Sequence, residues 1–399
     1  METETASAAA SEARLIAAGL SRDGARGVTG PLKGYHHEAY AIRLPADNPL
    51  SIRYERGKLR VPRPGLLWFD RRHFASDDQL LIALQGRVAR IPDCVEHEGR
   101  FFQGFIEGRT LPDARFGISR ISGRHLRQLG ELFAQTAAVE PGEISVPTVD
   151  EEHRRRPVAD RDTGAFLAGL IDFTERRVYR EHLDAFGSLF TGLGVSATAL
   201  DGLRQRAGNL AERPFALVHG DLHRRNLIVD SAGDLWFIDW ELAMIGDPLY
   251  DLATHLHLMD YPQCDVRRVE AVWREAVEDA RPGGSEGWER DLPVLLAFKR
   301  AQSVYTDVIR TALALTAGAV PGGAVPGGAV AGGPMVAAPA SVGPEPFRLR
   351  LTRAARKVQR VLAQAKEALD LPRIPGRGEI RAAYAEWLRE RVASGPDRL

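Results

Sequence analysis

The chain has 399 residues, of which 53 are basic and 53 acidic, so its formal net charge at neutral pH is zero. This length is enough for two lobes and a sizeable core. The balanced charge argues against a protein that uses a global field to attract nucleic acid, membranes or polycations.

Three further features indicate where the protein works. Cys94 and Cys264 lie far apart in the sequence, which is typical of a reduced cytoplasmic protein rather than a disulfide scaffold. Residues 1–20 lack the basic and apolar regions of a secretory signal. No apolar stretch reaches ~20 residues without Gly or Pro, so no membrane-spanning helix is expected.

The N-terminal quarter of the chain predicts one helix and then strands. Residues 1–27 are Ala-rich and amphipathic, and residues 35–44 alternate like a strand. The turn between Gly30 and Gly34 precedes that strand, and its backbone N–H groups could cover phosphates. An ordinary hairpin turn is the alternative, because GPLKG is not the full glycine-rich fingerprint. Ser76 then opens a capping box, SDDQ, that predicts a helix.

Residues 100–108, RFFQGFIEG, predict a strand that runs into a glycine-punctuated linker. A plain edge strand is the alternative interpretation. After this linker the periodicity changes from two residues to that of helices.

The rest of the chain predicts mainly helices. Residues 124–134, 165–189 and 291–315 carry apolar residues at helical spacing. The apolar face of the last helix suits the core, while four of its polar side chains are candidates for an acceptor pocket. These are Lys299, Arg300, Tyr305 and Asp307.

The most informative segment is residues 218–257, VHGDLHRRNLIVDSAGDLWFIDWELAMIGDPLYDLATHLH. Asp221 follows a short apolar strand, and Asn226 and Asp239 flank a predicted hairpin whose connection, residues 231–234, contains a glycine. The hairpin returns Asn226 and Asp239 to the neighbourhood of Asp221. Both are oxygen ligands that suit Mg²⁺, and Asp221 is placed to accept the proton of an attacking hydroxyl.

Two histidines in this segment admit another interpretation. His219 and His223 are four residues apart, but they are not on a helix with a third ligand, which disfavours a zinc site. We expect His219 to brace the catalytic loop instead.

Residues 317–345 repeat AVPGG, and this Gly and Pro density predicts a flexible linker. Residues 346–399 return to a helical pattern. Residues 348–399 contain thirteen Arg or Lys against six Asp or Glu. A solvated helix pair packed on the large lobe is one interpretation, and a docking surface for an acidic partner is the other.

HGDLHRRN, IDWE and GDPLYDLA resemble the motifs of the aminoglycoside phosphotransferase and choline kinase-like family. The resemblance implies an α+β, bilobal protein-kinase-like fold with a small antiparallel-sheet N-lobe and a larger, mostly helical C-lobe. It implies that Asp221 is the catalytic base, that Asn226 and Asp239 bind Mg²⁺, and that Asp247 and Asp251 support the catalytic loop.

The same resemblance implies roles for the small lobe. The family uses a strand cation on the ATP phosphates, paired with a helix acid; Lys58 is the candidate, Asp77 or Asp78 its partner, and Arg43 the rival cation. By the same similarity Gly30 and Gly34 cover the phosphates, while the Gly104 carbonyl and the Ile106 N–H face adenine. We also expect Glu241 at the acceptor site.

These expectations divide the chain into an N-terminal extension (1–27), an N-lobe (28–108), a C-lobe (109–316), a linker (317–345) and a basic helical segment (346–399). The leading hypothesis is an ATP- and Mg²⁺-dependent phosphotransferase acting on a hydroxyl of a small metabolite or antibiotic. The large lobe has no acid-rich run, which argues against a polycationic aminoglycoside as the acceptor.

Two alternatives remain at this stage. One is a Ser/Thr kinase for a ribosomal precursor peptide, working with a separate lyase, since the basic segment would suit an acidic leader peptide. The other is a non-catalytic binding protein that keeps the kinase shell. The balanced charge and the lack of a recognised reading motif disfavour nucleic acid.

Overall fold

The small lobe is built on a five-stranded antiparallel sheet. A computed structural model describes residues 11–32, 34–111, 120–149, 158–317 and 346–394. The strands are β1 (Val28–Leu32), β2 (His37–Arg43), β3 (Arg56–Pro62), β4 (Cys94–His97) and β5 (Arg100–Gly104), in the order β1-β2-β3-β5-β4. Helix α1 (Glu12–Leu20) precedes the sheet, and α2 (Asp77–Leu84) lies between β3 and β4.

Alternation along β3 assigns the two faces of this sheet. Leu59 is buried in a cluster with Ala17 of α1, Ile42 and Phe102. Because successive side chains of a strand point to opposite faces, Lys58 and Arg60 share the face opposite Leu59. The strand thereby presents two cations on the side away from α1.

The large lobe is mostly helical, as expected. Its helices are α3 (Gly123–Ala137), α4 (Thr163–Phe173), α5 (Leu183–Gly192), α6 (Asp201–Ala207), α7 (Pro248–Met259), α8 (Gln263–Ala280), α9 (Trp288–Ala317), α10 (Phe347–Gln364) and α11 (Arg377–Ser394). Its short strands are β6 (Arg109–Thr110), β7 (Ala216–Val218), β8 (Leu227–Val229), β9 (Leu235–Phe237) and β10 (Met244–Gly246). They form a β6-β8-β9 sheet and a β7-β10 pair, both antiparallel.

The predicted hairpin is confirmed. Strands β8 and β9 pair through Leu227 with Phe237 and Val229 with Leu235. Asp230 stabilises the connection, because its Oδ1 accepts from the N–H groups of Ala232 and Asp234, both at 2.9 Å. A short side chain that accepts backbone N–H groups is typical turn chemistry.

One helix prediction is corrected in its length. Residues 165–189 do not form a single helix, since α4 passes into a π-helical stretch, Thr174–Tyr179, and a 3₁₀ turn, Arg180–His182, before α5 begins. The apolar spacing continues across these irregular turns, so periodicity alone could not reveal them.

The two-lobe α+β arrangement confirms the predicted fold class. None of the helices in the described ranges combines the length and apolar character needed to cross a bilayer. The predicted linker lies outside the described residues, apart from Ala317 at the end of α9.

Helices α10 and α11 pack against the large lobe. Tyr384 is buried and donates its hydroxyl to the Val308 carbonyl of α9 at 3.0 Å. Trp387 stacks on Phe186 of α5 with ring centroids 5.5 Å apart, and its Nε1 donates to the Ala185 carbonyl at 2.6 Å. These contacts, together with Val358 and Leu362 of α10, which are buried in the same core cluster, make the C-terminal helices part of the core rather than a separate module.

Replacing Trp387 tests this packing. Trp387→Ala removes a side chain that is 2% exposed and should lower the free energy of unfolding by about 3–5 kcal/mol, measured by urea denaturation. Arg389→Ala, at an exposed position of the same helix, should change it by less than about 0.5 kcal/mol. Equal effects of the two substitutions would contradict the packing.

Candidate active site

The catalytic loop leaves β7 through a glycine that no other residue can replace without strain. Gly220 has φ +77°, and a Cβ there would lie 2.5 Å from the carbonyl oxygen of Leu242. The close approach of this backbone to residue 242 therefore requires the glycine of HGD.

His219 braces the loop as a neutral imidazole. Its Nδ1 accepts from the Asp221 N–H at 3.3 Å, and its Nε2 lies 3.2 Å from the Ile238 carbonyl. Burial lowers the pKa of His219 to about 3. The Nε2–H tautomer satisfies both contacts and links the loop to the residue before Asp239.

Asp251 of α7 fixes the catalytic loop through two backbone hydrogen bonds. Its two carboxylate oxygens accept the N–H groups of His219 and Gly220, both at 2.7 Å. Burial raises the pKa of Asp251 to about 6 even though these donors oppose the shift. The loop position thus depends on a buried carboxylate with backbone partners.

Asp247 anchors the start of the same helix. Its Oδ1 caps α7 by accepting from the Leu249 N–H at 3.0 Å. Arg213 binds Asp247 through two hydrogen bonds of 2.8 and 2.7 Å and reaches Asp291 of α9 at 2.7 Å. This buried network ties α7 to α9.

Asp221 and Asn226 are in direct contact. The Asn226 Nδ2 donates to the carbonyl and to the Oδ2 of Asp221, at 2.9 and 3.1 Å. Because the amide nitrogen is engaged by the loop, the amide oxygen, which is the atom that ligates cations, is left available.

The environment of Asp221 makes its carboxylate more basic than usual. Desolvation raises its pKa to about 6; the charges of Asp239 and Asp70 add to the shift, while His223 and Lys299 oppose it. A carboxylate with this pKa is ionised at neutral pH and is a stronger proton acceptor than an exposed Asp.

Asp239 follows β9 in the left-handed region, with φ +70°. Within the described part of the chain, no hydrogen bond or ion pair engages its carboxylate. Desolvation and Glu241 raise the pKa of Asp239, and Lys58 and Arg60 oppose them. A desolvated carboxylate without donors is suited to a cation, so Asp239 and the Asn226 amide oxygen fit a Mg²⁺ ligand set.

The predicted pair between Lys58 and an α2 acid is corrected. Arg60 makes that contact instead: its NH1 and NH2 groups bind Asp77 at 2.5 and 2.8 Å, and NH2 lies 2.7 Å from Asp78. The planar guanidinium suits two-point binding of a carboxylate better than an ammonium does. Lys58 has no hydrogen-bond partner among the described residues.

The rival cation is engaged elsewhere. Arg43 pairs with Glu55 and lies 3.3 Å from Asp23. This places its guanidinium on the partly exposed end of β2, so its assignment to the phosphates is not supported by the structure.

Glu241 connects the two lobes rather than standing free for an acceptor. Its Oε1 lies 2.7 Å from the Nδ1 of His36, and its Oε2 lies 3.6 Å from the Nδ1 of His37. Although burial opposes the effect, these histidines hold the pKa of Glu241 below its ordinary value. The acceptor role expected for Glu241 is therefore replaced by a bridge to the β1–β2 loop.

The two loop glycines differ in position. Gly30 lies inside β1 with φ +144°, where a Cβ would meet the ring of Tyr40 at 2.7 Å. Gly34 is exposed in the turn, and its carbonyl accepts from Arg63 at 3.3 Å. Gly30 thus serves packing within the sheet, and residue 33 between them lies outside the described residues.

Gly104 ends β5 opposite Gly57 of β3. A Cβ at Gly104 would lie 2.5 Å from the ring of Tyr54, so this glycine permits close aromatic packing. Its N–H donates to the Asp93 carbonyl at 2.8 Å. The adenine contacts expected of the Gly104 carbonyl and the Ile106 N–H remain predictions.

The acceptor candidates on α9 lie in different environments. Lys299 is buried and donates to the Tyr250 hydroxyl at 3.2 Å and to the Gln302 Oε1 at 2.8 Å. Arg300, about 100° further round the helix, is exposed.

The other two α9 candidates were wrong. Tyr305 is 1% exposed and packs on Tyr179 and Phe190, with centroids 5.3 and 5.6 Å away. Asp307 pairs with Lys357 of α10 at 2.8 Å. The π-helical stretch and α5 therefore cover Tyr305, and α10 engages Asp307.

Sequence reasoning missed Asp70. It lies between β3 and α2, yet its charge acts on both Asp221 and Lys299. No motif surrounds Asp70 in LLWFDRRHF, so only the packing of that segment on the large lobe reveals it.

A carboxylate and an amide beside a second carboxylate, faced by small-lobe cations, define a phosphoryl transfer site of the kinase type. The sequence profile of the phosphotransferase enzyme family matches residues 54–291. The chain belongs to this family and is an O-phosphotransferase, which leaves the non-catalytic alternative without support.

Several solved structures are similar at low identity. A macrolide 2′-phosphotransferase from Brachybacterium faecium is 18% identical over 70% of this chain and 85% of its own, with a TM-score of 0.42. A choline/ethanolamine kinase family protein from Mesorhizobium loti is 14% identical over 93% and 98%, with a TM-score of 0.44. A choline kinase from Cryptosporidium parvum is 12% identical over 91% and 93%, with a TM-score of 0.45. No curated protein sequence matches the chain.

Removing the support of the catalytic loop gives a direct test. Asp251→Ala leaves two buried N–H groups without acceptors, at a cost of about 1–3 kcal/mol each, and should lower both turnover and the urea midpoint. Asp279→Ala, at an exposed position of α8, is the matched control and should leave both unchanged. Full activity of Asp251→Ala would show that the loop does not need this carboxylate.

Proposed function

We propose that the protein transfers the γ-phosphate of ATP, in the presence of Mg²⁺, to a hydroxyl group of a small hydroxylated molecule. The observation that carries this proposal is the contact between Asp221 and Asn226, with the donor-free carboxylate of Asp239 close by. When bound, Mg²⁺ would neutralise charge on the transferring phosphoryl group. Asn226 and Asp239 would hold it.

Asp221 performs the proton transfer in this proposal. It accepts the proton of the acceptor hydroxyl as the new oxygen–phosphorus bond forms and the bond to ADP breaks. Asn226 orients its carboxylate through the 3.1 Å hydrogen bond, and Asp251 fixes the loop that carries it.

The small lobe supplies positive charge. Lys58 is unpaired among the described residues, and its charge reaches Asp239, which supports a contact with the phosphates. Arg60 is engaged by Asp77 and Asp78, which supports a role in fixing α2 against β3. The β1–β2 loop at Gly34 and the linker at Gly104 and Ile106 complete the nucleotide site in this proposal.

The alternative of a precursor-peptide kinase loses its structural argument. It required a basic segment free to dock a leader peptide, but α11 packs against α9 and α5 through Tyr384 and Trp387, and α10 pairs with α9 through Lys357 and Asp307. Deleting these helices would expose core residues, so such a deletion cannot separate a docking role from folding.

The roles of the two aspartates can be separated. Asp221→Asn should reduce kcat by about 10²–10⁴-fold while ATP·Mg²⁺ binding, measured by calorimetry, stays close to that of the unaltered protein. Asp239→Asn should abolish the Mg²⁺-dependent part of ATP binding. Asp279→Asn serves as control, and an active Asp221→Asn would refute the assignment of the base.

Lys58 and Arg60 should also behave differently. Lys58→Met should raise the KM for ATP by about tenfold, as expected for the loss of one charged contact of roughly 1.4 kcal/mol, with little change in stability. Arg60→Met leaves Asp77 buried and unpaired and should lower the free energy of unfolding by about 3–5 kcal/mol. Arg100→Met, exposed on β5, is the control. If Arg60→Met is as stable as Lys58→Met, the pairing in solution differs from that described.

A further inference from the structure

The small lobe reaches the acceptor side of the cleft through residues 63–75, which we call the crossing segment. The Ala75 N–H donates to the Pro147 carbonyl at 2.7 Å, and the Val149 N–H donates to the His73 carbonyl at 3.0 Å. Phe69 and Phe74 are buried in the core cluster that includes the large lobe. The segment is therefore fixed to the large lobe, although it belongs to the small lobe in sequence.

Asp70 of the crossing segment ends a chain of hydrogen bonds on the large lobe. Its Oδ1 accepts from the Gln302 Nε2 at 3.0 Å, and Gln302 accepts from Lys299, which donates onward to the Tyr250 hydroxyl. Tyr250 directly precedes Asp251, the support of the catalytic loop. The chain thus runs from the crossing segment to the base of that loop.

Acidic and basic side chains offset one another along this chain of hydrogen bonds. The Asp70 and Asp221 side chains are 25% and 26% exposed, whereas Lys299 is 5% exposed. Although burial disfavours its ammonium, Tyr250, Asp70 and Asp221 outweigh that effect and raise the pKa of Lys299. An ammonium has three donors, and two are used within the described residues, so one N–H has no partner among them.

Aromatic faces near this chain are already covered by the protein's own cations. The Lys299 Nζ lies 5.0 Å from the centre of the Tyr250 ring. The Arg310 guanidinium lies 4.6 Å from the Phe69 ring and 5.7 Å from that of Tyr35, and Arg310 also lies 3.8 Å from Asp70. A cationic ligand needs an open aromatic face or an excess of carboxylate. Among the described residues of this hydrogen-bond chain, the carboxylates of Asp70 and Asp221 are matched by the cations of Lys299 and Arg310, and the nearby aromatic rings each lie beside one of those cations.

We propose that the acceptor is an uncharged polyhydroxylated molecule, such as a sugar, held beside Asp221 by Asp70 and Lys299. This inference rests on the proposed function and names its acceptor class. A hydroxyl both donates and accepts, so neighbouring hydroxyls can satisfy the two partly exposed carboxylates and the spare N–H of Lys299 together. An ammonium on the ligand would meet Lys299 and Arg310 instead. Asp70 is then a binding residue contributed by the small lobe.

A matched panel of acceptors tests the class. ADP release from ATP·Mg²⁺ is measured with D-glucose and trehalose, which represent single and linked sugars, and with glucosamine, choline and kanamycin as cationic probes. The uncharged sugars should support turnover, and the kcat/KM for glucosamine should be at least about tenfold lower than that for glucose, which corresponds to ~1.4 kcal/mol. A cationic probe that matches or exceeds the sugars, or sugars that give no turnover, overturns the inference.

Variants measured in the same assay test where the acceptor binds. Asp70→Asn should raise the KM for the sugar about tenfold and leave the KM for ATP unchanged, because the described contacts of Asp70 are with Gln302 and Arg310, and none is with a residue assigned to the nucleotide site. Lys299→Met should raise the KM for glucose and reduce the difference in kcat/KM between glucose and glucosamine. Lys357→Met, which removes a lysine paired with Asp307, eight residues along α9 from Lys299, is the control. An unchanged sugar KM in Asp70→Asn excludes the crossing segment from the acceptor site.

Failure of this inference is distinguishable from failure of the proposed function. Thermal shifts with ATP and Mg²⁺, compared between the unaltered protein and Asp239→Asn, report on the nucleotide site without any acceptor. A Mg²⁺-dependent shift together with inactive sugars would leave the phosphotransferase proposal standing and remove only the acceptor class.

Discussion

Negative charge in a desolvated cleft is the constraint on which the rest of this structure depends. Desolvation raises the pKa values of Asp221, Asp239 and Asp251 alike. Carboxylates that leave water must find donors, cations or protons. Asp251 has two backbone donors and Asp221 has Asn226, whereas no described residue donates to Asp239, on which Lys58 and Arg60 act through their charges. Among the described residues, Asp239 is therefore the least compensated of the three carboxylates.

Side chains of the small lobe compensate carboxylates of the large lobe, and this couples the two lobes. Lys58 and Arg60 act on Asp239 from β3, and His36 reaches Glu241 from the β1–β2 loop. His36 also stacks on Trp68 of the crossing segment at 3.6 Å. The β1–β2 loop, the crossing segment and the segment that carries Asp239 and Glu241 therefore meet at one place, and neither lobe alone contains a complete site.

The parts of the site that sequence reasoning predicted are those set by local structure. Asn226 and Asp239 flank a short hairpin, so their proximity follows from the strand pairing of β8 and β9. Gly220 and Asp221 follow a three-residue buried strand. In each case a few neighbouring residues determine where the side chain lies.

The parts that were mistaken depend on long-range packing. Lys58 and Arg60 lie two residues apart on one face of β3, and only the position of α2 decides which of them meets Asp77. Tyr305 carries a hydroxyl on a helix near the site, but its side of α9 is covered by residues from α5 and the π-helical stretch. Helical periodicity identifies faces without saying what covers them.

Helix α9 contacts both the C-terminal helices and residues beside the candidate site. Lys299 and Gln302 lie on the site side, while Asp307 and Val308, five to nine residues further along, contact α10 and α11. Lys299 and Val308 are nine residues apart on this one helix, about 13.5 Å along its axis. Gln302 also binds Asp70, so α9 contacts the crossing segment as well. The contacts with the C-terminal helices and the contacts of Lys299 and Gln302 are therefore joined by one continuous element.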